Sequence, residues 1–215
     1  GIMWIGNSML FNWLDRNLVK PTDEGAKSGL LGTIWMVHSG GFYEVKKLML
    51  PPGALPEPLH WFKWQNGVTW LSGMSLLVLL FYMGGASLMT DPSVSSVSPG
   101  AAVGLSVATL VGTWLAYHYV WRSGLGRSDP TLATAYTVAL IVGASAIFFH
   151  YLSGRAAYVH VGVLVGTLMT GNVWFCIVPS QRELIAATVE GREQDQALSD
   201  QAKQGYELFK GKANC

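Results

Sequence analysis

Residues 131–152 read TLATAYTVALIVGASAIFFHYL and contain no Asp, Glu, Lys or Arg. A helix of about 20 such residues crosses a hydrocarbon core of roughly 30 Å. The same absence of charge recurs between Lys63 and Asp91, between Asp91 and Arg122, and between Arg155 and Arg182. A charge at the bilayer centre costs about 2.5–3.5 kcal/mol even on insertion scales, so charge-free gaps of this length are expected of spans. The chain as a whole is 13% charged, against about 25% for soluble domains.

The fold predicted is all-α: an integral membrane helix bundle of about five spans with a polar C-terminal tail. The first span is the apolar run from Gly1 to about Leu14, closed by Asp15-Arg16. It begins inside an apolar pattern with no charge ahead of it, as expected of a helix whose first half is truncated. The others are predicted at 67–89, 101–121, 131–152 and 157–178, with Pro179 ending the last. Gly162 with Gly166, and Gly104 with Gly112, are placed for close helix contact. Trp13, Trp70, Tyr117, Trp121, Tyr151, Tyr158 and Trp174 gather near span ends as an interfacial belt.

Residues 1–179 thus form the bundle, with a structured loop at 16–63. There, short helices lying on the bundle are predicted, then a turn rich in proline (Pro51, Pro52, Pro56, Pro58). Residues 180–204 are polar, with helical spacing of Leu184, Ile185 and Thr188, and read as a soluble helical segment. The net charge is +1 with no basic face, so nucleic acid is not an expected partner. No phosphate-loop, zinc-protease or serine-esterase motif occurs.

The loops at 16–63 and 122–127 hold Arg16, Lys20, Lys27, Lys46, Lys47, Lys63, Arg122 and Arg127, whereas the opposite loops hold only Arg155. The positive-inside rule puts the first set in the cytoplasm. A multi-pass protein of a bacterial inner membrane is expected, with the lipid bilayer as its first partner. Cys176 lies in an apolar run and reads as a small core residue. The tail at 205–215, GYELFKGKANC, resembles the opening helix of a class I cytochrome c, which leads into Cys-x-x-Cys-His. On that reading Cys215 is the first thioether cysteine and haem c the cofactor. An ordinary polar tail is the competing reading.

Two segments carry a more specific resemblance: LGTIWMVHSGGFYEV at 31–45, and LPEPLHWFKWQ at 55–65 running into Thr69-Trp70-Leu71-Ser72-Gly73. With Trp4-Ile5-Gly6-Asn7-Ser8 and Gly171-Asn172-Val173-Trp174, they resemble the membrane domain of the cytochrome-c-linked urate hydroxylase family over roughly residues 1–203. The resemblance implies a membrane-bound oxidoreductase of purine metabolism. It would oxidise urate to 5-hydroxyisourate and pass electrons to a c-type cytochrome or another acceptor. Family members carry further spans beyond the position of Lys203 and then a cytochrome c domain, and their first helix begins upstream of Gly1 with a histidine absent here. Either the sequence is part of a longer protein or it is a shortened relative. The alternative is a haem-bearing or structural subunit of a larger respiratory or photosynthetic electron-transfer complex, without its own substrate.

The candidate chemistry rests on five histidines and their neighbours. His38 and His60 are candidate bases, since imidazole accepts protons near pH 7. Tyr43, Glu44, Trp61, Lys63, Trp64 and Asn66 offer the stacking faces, cation and hydrogen-bonding groups that a flat purine anion needs. His150 and His160 flank the turn at Ser153 to Arg155, and are candidates to hold a haem b iron or another metal, with His118 a third. For each histidine the plainer reading is a hydrogen-bonded side chain at a helix end.

Overall fold

The computed structural model describes residues 1–22, 24, 28–51, 53–84 and 87–192. Of these, 1–62 and 179–192 form one compact unit and 63–178 another.

The second unit is a helix bundle. Its elements are α2 (Lys63–Leu77) running into a π-helical turn at Val78–Tyr82, α3 (Pro99–Arg122), the short α4 (Gly124–Ser128), α5 (Pro130–Tyr151), and α6 (Gly154–Asn172) running into a second π-helical turn at Val173–Ile177. Short polar residues at the helix starts act as caps. Ser98 Oγ accepts from Ala101 N at 3.4 Å, Asp129 Oδ1 from Leu132 N at 3.0 Å, and Ser153 Oγ from Ala156 N at 3.3 Å. Pro99 and Pro130 sit where a helix has no use for the missing N–H.

Among the described residues three helices are long and apolar enough to cross a membrane: Pro99–Arg122, Pro130–Tyr151 and Gly154–Glu190. In the most apolar part of Pro130–Tyr151 only 22% is buried within the chain. Val138, Val142 and Phe149 face outward, as they would toward lipid. The buried face joins Ala102 and Leu110 of α3, Ala144 and Phe148 of α5, and Ala156, Ala157 and Leu164 of α6, with Leu77 and Phe81.

The structure corrects four expectations. A Cβ added at Gly104, Gly112, Gly162 or Gly166 would meet nothing, so the close contacts rest on alanines rather than on those glycines. The second span stops at Tyr82 rather than Met89. Met89 lies in the following loop, fully buried, and its carbonyl accepts from Ser153 N at 2.8 Å. In that loop Asp91 accepts from both Ser93 N and Ser93 Oγ, which holds its carboxyl below the usual range. Pro179 does not end the last helix. The helix runs from Gly154 to Glu190, and the wide turn at Val173–Ile177 lies just ahead of the proline. A proline ring clashes with the carbonyl four residues back, here that of Phe175, and a π-helical turn re-spaces that carbonyl.

The fourth correction concerns the first unit. The helix α1 (Ile2–Asn17) is as expected, but among the described residues the stretch 30–48 of the loop at 16–63 is strand rather than short helix, so the chain is mostly helical and not all-α. It holds an antiparallel hairpin of β1 (Leu30–His38) and β2 (Gly41–Leu48), with Trp35 opposite Glu44 and Val37 opposite Phe42. The two turn residues, Ser39 (φ 51°) and Gly40 (φ 78°), both have positive φ, as a two-residue hairpin turn of the type I′ sign requires. β-Branched and aromatic residues at 33–37 and 42–45 favour strands over helix. The hairpin is tied to the end of α1 by pairing of Val19 with Thr33 and by Lys47 Nζ on Asp15 at 2.6 Å. Helix α7 (Val178–Glu190) accepts Gly53 N at the carbonyl of Thr188, 2.8 Å away.

Candidate functional site

In the first unit, His38 closes the hairpin opposite Gly41 and is exposed. Tyr43 and Glu44 are consecutive on β2 and therefore point to opposite faces; Glu44 pairs with Lys46 at 3.0 Å. His60 packs edge-on against Phe62, with ring centroids 4.6 Å apart, and Phe62 against Phe11 at 5.6 Å. Trp61 lines an open groove with Leu55, Pro56, Glu57, Pro58, Leu59 and Ile185. The hairpin residues and the groove residues thus lie on different segments.

The second unit gathers more. At the end where α2 begins and α3 finishes, the turn at Val173–Ile177 sends two consecutive aromatic side chains to two different helices. Trp174 goes to α2: its Nε1 donates to Asn66 Oδ1 at 2.9 Å, and its ring meets Trp64 edge to face at 5.7 Å. Asn66 is buried, and its Nδ2 donates to Thr170 Oγ1 at 3.3 Å. Trp70 Nε1 donates to Thr167 Oγ1 at 3.1 Å. Lys63 Nζ lies 5.7 Å from the centroid of the Trp64 ring, within cation–π range. Three residues picked out from sequence, Lys63, Trp64 and Asn66, therefore share one network, with Asn66 holding the Trp174 indole against which Trp64 packs.

Phe175 goes to α3 instead. Its ring lies 5.4 Å from Trp114 and 6.5 Å from His118. His118 stacks on Trp114, centroids 5.1 Å apart and planes at 16°, and Arg122 Nη1 lies 3.2 Å from His118 Nε2. Sequence reasoning passed over Trp114 as an anchor and counted Arg122 only as a loop charge. The signal was there, since positions 114, 118 and 122 are i, i+4 and i+8 on one helix face. The Trp114 ring rests on Gly171, leaving no room for a methyl group there. Gly171→Ala is therefore expected to destabilise the protein by about 1–3 kcal/mol, read as a lowered unfolding temperature in detergent. Gly166→Ala, where an added Cβ meets nothing, should stay within about 0.5 kcal/mol.

At the opposite end, His160 is fully buried. Its Nδ1 lies 2.7 Å from the carbonyl of Ala156, so the proton is on Nδ1. Its Nε2 lies 3.4 Å from the Tyr82 hydroxyl, which in turn is 2.6 Å from Ser106 Oγ. Phe81 and Phe148 pack against the imidazole at 5.9 and 5.4 Å. His150, by contrast, is exposed and meets only the edge of Tyr151 at 4.6 Å among its described ring contacts. The two imidazoles do not converge, and Tyr82, Phe81 and Phe148 fill the space at His160 where a haem face or metal would have to lie. The residues present do not fit a haem or metal shared by His150 and His160, and among the described residues no group of three metal-ligating side chains occurs. His118, the third such candidate, has its Nε2 engaged by Arg122. Cys215, the covalent haem candidate, and the tail at 205–215 lie outside the described residues.

No curated protein and no solved structure matches the chain. A family model does, that of the urate oxidase N-terminal region, over residues 1–206. The match takes in both segments whose resemblance pointed to urate chemistry, and the chain belongs to the urate oxidase N-terminal family.

Proposed function

We propose that this chain is the membrane part of an oxidoreductase that oxidises urate and passes the electrons to a c-type cytochrome. The observation that carries this reading is the family match across residues 1–206. The polar and aromatic end of the second unit supports it. Urate at neutral pH is a planar monoanion, and it is recognised by aromatic faces, a cation and in-plane hydrogen bonds. Lys63 supplies a cation beside Trp64, and the Asn66–Trp174–Thr170 network fixes the Trp174 indole before any ligand arrives. Oxidation of the monoanion removes two electrons, adds the hydroxide of a water at C5 and releases one proton. The cytochrome, a partner in this reading, takes the electrons. Residues of the chain have to hold the anion and accept the proton. The charge-free spans and the basic loops on one side support placement in a bacterial inner membrane with this end in the cytoplasm.

The test is urate-dependent reduction of ferric cytochrome c by membranes carrying the complete protein. Reduction is expected with urate and not with buffer alone, and its absence would overturn the reading. Lys63→Ala is expected to lower kcat/KM about tenfold, the loss of one charge-assisted contact. The same assay checks the histidines of the first unit. His38→Ala and His60→Ala are each expected to leave turnover near wild type, since His38 is exposed at the hairpin turn and His60 packs on Phe62. A loss of about a hundredfold in either would make that histidine the base.

A further inference from the structure

We propose that Arg122 and His118, seated on Trp114, form the anion-holding and proton-accepting pair of the urate site. The inference rests on the proposed urate reading and adds residues that neither the sequence motifs nor the family match assigns.

An arginine at a span end ordinarily reaches outward to lipid headgroups. Arg122 turns back one helical turn, placing Nη1 3.2 Å from His118 Nε2. A guanidinium has no lone pair and cannot be deprotonated in a protein, so it donates and Nε2 accepts. His118 is therefore neutral, with its proton on Nδ1. Among the described residues no carboxylate pairs with Arg122. Its charge meets the His118 imidazole and the Cys176 thiol, neither of them a carboxylate, which leaves an exposed cation with no anionic partner among the described residues at the rim of an aromatic platform. Trp114 fixes the imidazole plane from one face and Phe175 from the edge.

This arrangement suits a planar anion with two adjacent acceptors on one edge, which a guanidinium fork meets with two parallel hydrogen bonds. It also couples binding to chemistry. While the site is empty, Arg122 occupies the one lone pair through which His118 can act as a base. When the urate monoanion arrives, the guanidinium moves to the stronger, charged acceptor, and Nε2 becomes free. Two electrons then leave to the cytochrome, the hydroxide of a water bonds to C5, and the proton that water gives up goes to Nε2. The product is neutral, so Arg122 no longer holds it.

Equilibrium dialysis of urate against the complete protein in nanodiscs, without electron acceptor, tests the clamp apart from turnover. Arg122→Gln is expected to weaken Kd about tenfold or more, and Arg122→Lys by a similar factor, because an ammonium cannot fork. His118→Gln keeps an acceptor for Arg122 but no base. It should bind urate within about twofold of wild type while kcat falls about a hundredfold. If wild type binds and oxidises urate and Arg122→Gln keeps its Kd, the clamp is wrong and the urate reading stands. If Arg122→Gln changes only the dependence on anionic lipid, Arg122 is a headgroup anchor and the proposal fails. A His118→Gln variant with wild-type kcat removes the base. If wild type neither binds nor oxidises urate, the underlying reading falls and this one with it.

Discussion

Phe148→Ala is expected to destabilise the helix bundle by about 2–3 kcal/mol, measured by unfolding in mixed micelles of increasing denaturing detergent. Phe148 is fully buried on α5 and packs on His160 with ring centroids 5.4 Å apart. In a water-soluble core the same truncation costs about 3–5 kcal/mol, part of it the transfer of an aromatic ring out of water. For a helix that crosses a bilayer, as proposed for α5, that part is missing, because separation from its neighbours still leaves the ring in lipid. What remains is the lost contact of a close-packed ring and the cavity beneath it. Phe149→Ala is the internal control: its ring is 54% exposed, and its removal should cost less than about 0.5 kcal/mol. Equal losses for the two would mean that the packing described for α5 is wrong.

The contrast between neighbours on α5 also explains which parts of the molecule are legible in the sequence. Three of the five expected spans are, because charge is excluded from lipid at a cost of kilocalories, and its absence over long gaps in composition has few other causes. The caps at Ser98, Asp129 and Ser153 are legible for a similar reason: a helix start needs an acceptor, and a short polar side chain supplies it. Flanking one turn gives His150 and His160 a similar depth, but it does not fix the side of the helix to which each ring points. The buried positions of α5 include Ala133, Thr137, Ala144 and Phe148, a face that advances by three or four residues. His150 is two residues past Phe148, about 200° around the helix, and turns outward. His160 falls on the buried face of α6 with Ala156, Leu164 and Leu168, and turns inward. The hairpin at 30–48 was hidden by a different competition, since glycines and aromatic residues in a long loop fit several local structures until the positive φ at Ser39 and Gly40 is seen. The Trp114, His118 and Arg122 face could have been read from spacing. The part played by Trp174 could not, because it depends on a π-helical turn that no periodicity announces.

The end of the second unit that carries Lys63, Trp114 and Arg122 is expected to face the cytoplasm, and the result should be close to all-or-none. With Cys176 and Cys215 replaced by serine, single cysteines at Ser96 and Ser128 report the two ends of α3 and α5. Ser96 lies in the exposed loop before α3, and Ser128 ends α4 between α3 and α5. Within this unit the sequence places Lys63, Arg122 and Arg127 at the Ser128 end, while the Ser96 end has only Arg155. Positive residues close to span ends and in short connections weigh most in setting orientation, and the connection from Arg122 to Asp129 is short. In intact cells a membrane-impermeant maleimide should therefore label Ser96→Cys at least about tenfold more than Ser128→Cys, a population bias of about 1.4 kcal/mol or more. Permeabilised cells should label both. The reverse pattern in intact cells would put the Arg122 end outside. Equal labelling at both positions before permeabilisation would mean that α3 and α5 do not cross the bilayer, despite their length and composition.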